Sequence, residues 1–248
     1  IKKEDVKTLF IQNTNPLVVA PDSLLVRKGF SREDLFVCVH EQFLTETAKY
    51  ADILLPATSF VEHNDIYIAG GHQHLTYGPK LINSIGESKS NHTLINEISK
   101  RLGSKKENFN MTEEEIINET LILSNLGTLK KLKEKKFIDL QPDFQTSHFI
   151  NGFGHSDNKF HFNPKWNIKN TKFNDNHNLP DHYDFNEKAT YVCPYKLVTA
   201  PAHNFLNSSF TETSSSIRLE NKPKIKVHSN DMLKLRIKDN EIVEIGNH

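Results

Sequence analysis

Residues 36–56 read FVCVHEQFLTETAKYADILLP and contain two short apolar runs with a compact polar segment between them. The first run, residues 36–39, is followed by His40 and Glu41, and the second run covers residues 53–55. Apolar runs this short, separated by short helical pieces, are typical of buried strands in a parallel sheet. The stretch therefore predicts an α/β fold.

Polar side chains follow the first of these runs, where the predicted strand ends. His40 and Glu41 occupy that place, and Thr45 and Thr47 lie at the start of the next predicted helix. Open α/β sheets bind their ligands at the carboxyl ends of the strands. Helix N–H groups and hydroxyls suit phosphate, and a carboxylate suits the donor edge of a guanine or a ribose. The sequence thus indicates a phosphate-bearing ligand at this end of the sheet.

The composition of the chain argues against several classes of protein. The 248 residues are enough for one large or two modest domains, and 31 basic and 31 acidic side chains cancel. A neutral chain argues against a nucleic-acid binder that works through a basic surface. Cys38 and Cys193 are too few and too far apart for a zinc or iron–sulfur site. No run approaches the roughly 18 apolar residues of a membrane span, so we expect none.

The central stretch resembles a known family, the molybdopterin oxidoreductases of the dimethyl sulfoxide reductase type, which includes formate dehydrogenases and nitrate reductases. The family pattern is an acidic residue that closes a strand, then T-E-T-A, then A-D-I-x-L-P-A-T. Glu41, residues 45–48 and residues 51–58 match it here. The resemblance implies a Rossmann-like parallel-sheet domain followed by the start of a double-psi β-barrel. It also implies a C-terminal-half fragment of such an enzyme, cut at both ends.

Three domains are expected along the chain. Residues 1–103 would form the molybdopterin-binding α/β domain, residues 104–193 a helical and irregular connector, and residues 194–248 a partial barrel domain that binds the cofactor dinucleotide. In the first domain, residues 6–11 are predicted as a strand, residues 23–30 as a helix, and residues 91–103 as a helix with Asn91 as its N-cap and Gly103 as its C-terminal cap.

The other two domains give weaker patterns. In the connector, Thr112 opens a helix through a capping box, a lysine-rich helix spans residues 126–136, and residues 149–162 are predicted as a Gly-turned aromatic hairpin. In the third domain, residues 196–199 are predicted as a strand. Residues 225–231 and 235–245 resemble the family's barrel repeat, which implies a strand in the second of these segments.

The resemblance implies ten cofactor-binding residues, and it implies no catalytic residue and no metal ligand within this chain. These ten are Thr14, Asn15, His40, Glu41, His63, Asn91, His203, Asn204, Asn207 and Ser208. The last four lie in one loop, where amides, a hydroxyl and one imidazole can hold a diphosphate and a pterin without a clash of fixed charges. For His63 a solvated loop is the alternative, and for Asn91 a purely helix-capping role.

The implied function is two-electron redox of a small substrate at a molybdenum bis-molybdopterin guanine dinucleotide cofactor, with an electron-transfer partner subunit. The molybdenum ligand, the active-site base and any 4Fe–4S cluster would lie in the amino-terminal half, so the fragment alone is expected to be inactive. A cytoplasmic location is expected, with a periplasmic one left open. One alternative is a non-catalytic structural homologue of a respiratory-complex subunit that has lost molybdenum. A second is a Rossmann-like binder of another nucleotide, but the sequence has no G-x-G-x-x-G and no P-loop pattern.

Overall fold

The computed structural model describes residues 6–162 and 188–246. The chain divides into two compact units, residues 1–153 and residues 154–248. The first unit contains two three-stranded sheets, and the described residues of the second unit form short helices and turns without a strand. No helix in the described part of the chain combines the length and the apolar composition that crossing a bilayer requires.

The first sheet is parallel, as the sequence predicts. Its strands are β1 (Thr8–Gln12), β2 (Phe36–Glu41) and β3 (Ile53–Pro56), in the order β1-β2-β3. Helices α1 (Pro16–Val19) and α2 (Ser23–Phe30) connect β1 to β2, and a 3₁₀ turn at Ala48–Tyr50 connects β2 to β3. The predicted helix at residues 23–30 is therefore confirmed.

One face of this sheet packs against the connecting helices. Val37 and Val39 of β2 are each 1% exposed and form the centre of that packing. Side chains on a strand point alternately to its two faces, so His40 lies on the opposite face from these valines. The other members of the apolar cluster are Ile11, Leu17, Phe30, Leu35 and Ala48.

The second sheet is antiparallel, and the sequence patterns do not predict its three-stranded arrangement. Its strands are β4 (Asp65–Ala69), β5 (His72–Gly78) and β6 (Phe137–Asp139), in the order β4-β5-β6. Helix α3 (Asn91–Arg101) follows β5 in the chain, and helices α4 (Glu113–Leu123) and α5 (Leu129–Lys135) lie between it and β6. A second apolar cluster joins this sheet to α4 and α5 through Leu75, Ile117, Leu121, Leu129 and Leu132.

The helix caps agree with the sequence at two of three positions. Thr112 and Glu115 form the predicted capping box at the start of α4. Gly103 follows α3 with φ +76°, a left-handed conformation that glycine adopts without strain. The predicted N-cap of α3 is wrong, because Ser90 rather than Asn91 caps it and accepts a hydrogen bond from the Thr93 N–H. Ser90, which is buried, therefore occupies the N-cap position, and Asn91 is the first residue of α3.

The predicted strands near the end of the chain are not present. Turns and irregular segments stand at residues 149–162, where the hairpin was expected, and they follow helix α6 (Phe144–Ser147). Among the described residues, 196–199 are exposed and belong to no strand. Leu235 is the last residue of α8 (Ser229–Leu235), which follows α7 (Ser214–Glu220). A strand needs a hydrogen-bonded neighbour, and alternating apolar residues do not supply one. The barrel and the three domain bounds stay predictions.

Candidate functional site

The carboxyl ends of the three parallel strands meet at one edge of the first sheet. Lys89 extends this arrangement, because it forms a parallel bridge to Ala57, just after β3, and leads directly into α3. We call the resulting surface the carboxyl edge; it comprises residues 12–15, 41–42, 57–58 and 89–92. It is the position at which open α/β sheets bind ligands.

His40 lies beneath this edge and is completely buried, with 0% exposure. Its Nδ1 lies 3.1 Å from the Gln12 Nε2, and its Nε2 lies 3.0 Å from the Lys89 carbonyl oxygen. The same carbonyl accepts a hydrogen bond from the Thr58 N–H at 3.2 Å. Both ring nitrogens are therefore bonded to the protein. The predicted direct contact between His40 and a cofactor stays untested, and the geometry favours a supporting role.

Asn15 and Thr47 connect the turn after β1 to the segment after β2. The Asn15 Oδ1 accepts from the Thr47 hydroxyl at 2.6 Å and from the Thr47 N–H at 3.2 Å. The Thr47 Oγ1 in turn accepts from the Leu17 N–H at 3.1 Å. Both polar side chains are buried, so the T-E-T-A segment contributes to this edge by fixing two loops relative to each other.

Thr14, Glu41 and Asn91 bring polar groups to the surface of the carboxyl edge. Thr14 and Asn91 are exposed, and Glu41 is half-buried. The Asn91 Oδ1 accepts from the Gln12 Nε2 at 3.3 Å, and one carboxylate oxygen of Glu41 accepts from the Gln42 N–H at 2.7 Å. Within the described residues, the second Glu41 oxygen and the N–H group of Asn91 have no hydrogen-bonding partner. These groups are available to a ligand.

The loop after β3 is ordered by a buried carboxylate. Glu62 accepts from the N–H groups of Ser59 and Ile85, each at 2.7 Å, and these bonds lower its pKa. His63 follows it, with its Nδ1 2.8 Å from the Thr58 hydroxyl. Because the Thr58 N–H is bonded to the carbonyl of Lys89, His63 is connected to the carboxyl edge through Thr58.

The remaining predicted site residues belong to the second unit. The backbone N–H and the side-chain amide of Asn204 donate to one carboxylate oxygen of Glu220, the amide at 2.8 Å, and the pKa of Glu220 is lowered by these bonds. Asn207 adopts a left-handed conformation with φ +53°, and the Ser208 carbonyl accepts from the Thr211 hydroxyl at 2.9 Å. His203 is exposed.

The structure gathers six of the ten predicted residues at or beside the carboxyl edge. These six are Thr14, Asn15, His40, Glu41, His63 and Asn91. Gln12, Thr58 and Glu62 were missed by sequence reasoning. Gln12 could have been found, since it directly follows the strand predicted at residues 6–11. Lys89 acts through its backbone carbonyl and leaves no side-chain signal. Among the described residues, no three His, Cys, Asp or Glu side chains form a group that could hold a metal ion.

Comparison with known proteins agrees with this architecture. Residues 1–101 match the sequence profile of the molybdopterin oxidoreductase family. The family resemblance carried by the central stretch is thus found over residues 1–101. The chain is also similar to a solved structure, the acetylene hydratase from Pelobacter acetylenicus, with a TM-score of 0.72 and 18% identity over 95% of this chain and 33% of that one. At this identity the likeness shows the fold.

Two curated relatives match this chain along almost its whole length. A probable oxidoreductase of Bacillus subtilis, YoaE, is 33% identical over 98% of this chain and 35% of its own length. The alpha subunit of an F420-dependent formate dehydrogenase from Methanocaldococcus jannaschii is 26% identical, again over 98% of this chain and 35% of the relative. The chain thus spans about a third of the length of these relatives.

Proposed function

We propose that the carboxyl edge holds part of a molybdenum bis-molybdopterin guanine dinucleotide cofactor in an oxidoreductase that carries out two-electron redox of a small substrate. The observation that supports this most directly is the grouping of Thr14, Asn15, Glu41 and Asn91 at one edge of a parallel sheet. All four lie within residues 1–101, the segment that matches the family.

The chemistry of the available groups fits such a ligand. The unpartnered oxygen of Glu41 can accept from the N–H groups of a guanine or from a ribose hydroxyl. The start of α3, an 11-residue helix, offers the N–H of Asn91 to a phosphate. Lys89, the cation nearest to this point in the chain, has its ammonium bonded to Glu97 at 2.6 and 2.7 Å, so the edge itself is built from neutral donors and one carboxylate.

These contacts indicate separate roles for the cofactor and for the residues of this chain. When bound, the cofactor would supply the redox chemistry, and the residues of this chain would bind and orient it. On this proposal His203, Asn204, Asn207 and Ser208 contact the cofactor from a barrel domain that begins in the second unit. The molybdenum ligand, any 4Fe–4S cluster and the surface for an electron-transfer subunit would belong to other parts of a longer protein.

The alternative of a non-catalytic scaffold is less well supported. Relatives of this chain are named as oxidoreductases, including a formate dehydrogenase subunit and a trimethylamine-N-oxide reductase. A scaffold that had lost the cofactor would also have no use for unpartnered acceptor and donor groups at the carboxyl edge.

Analysis of the purified full-length protein tests the proposal. We expect molybdenum by mass spectrometry and, after acid hydrolysis, twice as many molecules of GMP as atoms of molybdenum. A folded full-length protein that is produced in a host making the cofactor, and that contains neither molybdenum nor GMP, would contradict the proposed function and favour the scaffold.

A further inference from the structure

His40 has a position in β2 that packing alone does not explain. Its ring is fully buried on the face opposite Val37 and Val39, and each of its nitrogens meets a polar atom from a different part of the chain. One partner, Gln12, is the last residue of β1, and the other, Lys89, directly precedes the cap of α3. His40 therefore joins the ends of two separate segments of the carboxyl edge.

The partners determine where the ring carries its proton. The Lys89 carbonyl can only accept, so the His40 Nε2 must donate to it. The Nδ1 then accepts from the Gln12 amide, and the second hydrogen of that amide points to the Asn91 Oδ1, 3.3 Å away. A neutral ring with its proton on Nε2 satisfies every contact in this set.

Both routes from His40 lead to the start of α3. One passes through Gln12 to the Asn91 side chain, and the other goes directly to the carbonyl of Lys89. We propose that His40 is a positioning residue that fixes the spacing between the end of β1 and the first turn of α3, and thereby sets how tightly the carboxyl edge retains a diphosphate-bearing pterin. This inference rests on the proposed function, because it needs a cofactor at that edge.

Three variants of the full-length protein separate positioning from packing. His40→Leu keeps the ring's approximate bulk but removes both hydrogen bonds, and His40→Gln retains an N–H that can reach the carbonyl of Lys89. Val37→Ala is the matched control, because it removes buried volume from the same strand on the opposite face. All three are compared at temperatures equally far below their own unfolding midpoints.

Hydrogen exchange followed by mass spectrometry measures how readily the two segments joined by His40 open to solvent. His40→Leu should speed exchange in peptides that cover residues 10–16 and 89–96, His40→Gln should do so less, and Val37→Ala should leave residues 89–96 unchanged. Release of pterin during dialysis, followed by the fluorescence of the oxidised pterin, should be faster by about tenfold in His40→Leu, as for other residues that support a ligand site indirectly.

The outcomes are distinguishable. If wild-type protein holds pterin and His40→Leu changes neither the exchange of residues 89–96 nor the retention of pterin relative to Val37→Ala, the positioning role is refuted and the proposed function stands. If His40→Leu loosens the segment without any faster release, the link to cofactor retention is refuted. If wild-type protein holds no pterin, the proposed function fails and this inference fails with it.

Discussion

Ser90 donates a hydrogen bond from its hydroxyl to the Glu113 Oε1 at 2.6 Å while it accepts one from the Thr93 N–H at 3.2 Å. The other Glu113 oxygen accepts from the Asn64 N–H at 2.9 Å. One carboxylate thus ties the start of α3 to the start of α4 and to the residue before β4. The first turn of α3, which belongs to the carboxyl edge, is held by the helical layer of the second sheet.

Replacing Ser90 by Ala should therefore destabilise the protein. The change removes an N-cap, which costs about 1 kcal/mol, and it takes one hydrogen-bond donor from the Glu113 carboxylate, a loss of about 1–3 kcal/mol. Urea unfolding should show a lower midpoint. Ser99→Ala is the control, since Ser99 lies inside the same helix without a side-chain hydrogen bond to any described residue. Equal midpoints for the two variants would show that the Ser90–Glu113 contact contributes nothing.

Gly78 is required by the ring of Tyr67. A Cβ at position 78 would lie 2.3 Å from the Tyr67 Cε2, far inside contact distance, because the ring covers the glycine from the neighbouring strand. We expect Gly78→Ala to lower the free energy of unfolding by about 1–3 kcal/mol through overpacking. Gly70→Ala is the matched control, since nothing lies within 4 Å of a Cβ there. A thermal midpoint for Gly78→Ala equal to that of Gly70→Ala would contradict the prediction.

Glu62 should make the stability of the protein depend on acid pH. Hydrogen bonds from the backbone N–H groups of Ser59 and Ile85 hold its pKa below the usual value. A carboxyl whose pKa is lower in the folded state stabilises that state above its unfolded pKa, about 4.3, and loses the contribution as pH falls through the folded value. Wild type should thus exceed Glu62→Gln in thermal midpoint at neutral pH, and the difference should shrink in acid.

The control for this pH series is Glu87→Gln. Glu87 is exposed and has no hydrogen bond to the described residues. Its variant should follow wild type at each pH, and a Glu62→Gln difference that stayed constant down to about pH 3, below the unfolded value, would rule out the linkage.

Asn15 permits a test that separates stability from binding. Asn15→Ala leaves the buried hydroxyl and N–H of Thr47 without their acceptor, at a cost of about 1–3 kcal/mol. Asn15→Asp keeps an acceptor of the same shape but adds a negative charge where we propose that a diphosphate binds. We expect Asp to preserve more of the unfolding midpoint than Ala, and yet to reduce the GMP content of the full-length protein. Undiminished GMP in Asn15→Asp would argue against phosphate binding beside this residue.

Local patterns predicted the first sheet well because its determinants are local. Apolar runs at residues 36–39 and 53–55 became β2 and β3, and residues 23–30 became α2 as expected. The third strand of the second sheet, β6, was not predicted, because its pairing with β5 joins segments about sixty residues apart and Phe137–Asp139 is short. The strands expected at residues 196–199 and 235–245 failed for a related reason, since periodicity alone supplies no partner.

The positions of three predicted site residues agree with the structure, and their role toward a cofactor stays a prediction. The rule that ligands bind at carboxyl ends correctly placed His40, Glu41 and Asn15 at one edge. The burial of the His40 ring depends on Gln12 and Lys89, which lie 28 and 49 residues away in the chain. The residues next to His40 in the sequence therefore do not indicate that its imidazole is buried and hydrogen-bonded to Gln12 and Lys89.

The carbonyl of Lys89 accepts from both His40 and Thr58, and the Lys89 N–H donates to the carbonyl of Pro56. Because residue 89 makes these three contacts with its main-chain atoms alone, its side chain can change during evolution while the junction keeps its shape. Proline is the exception, since it would abolish the N–H. Homologues should accordingly tolerate almost any other amino acid at position 89. Redesign of this edge should instead change the residues that hydrogen-bond to the peptide unit of residue 89, such as His40.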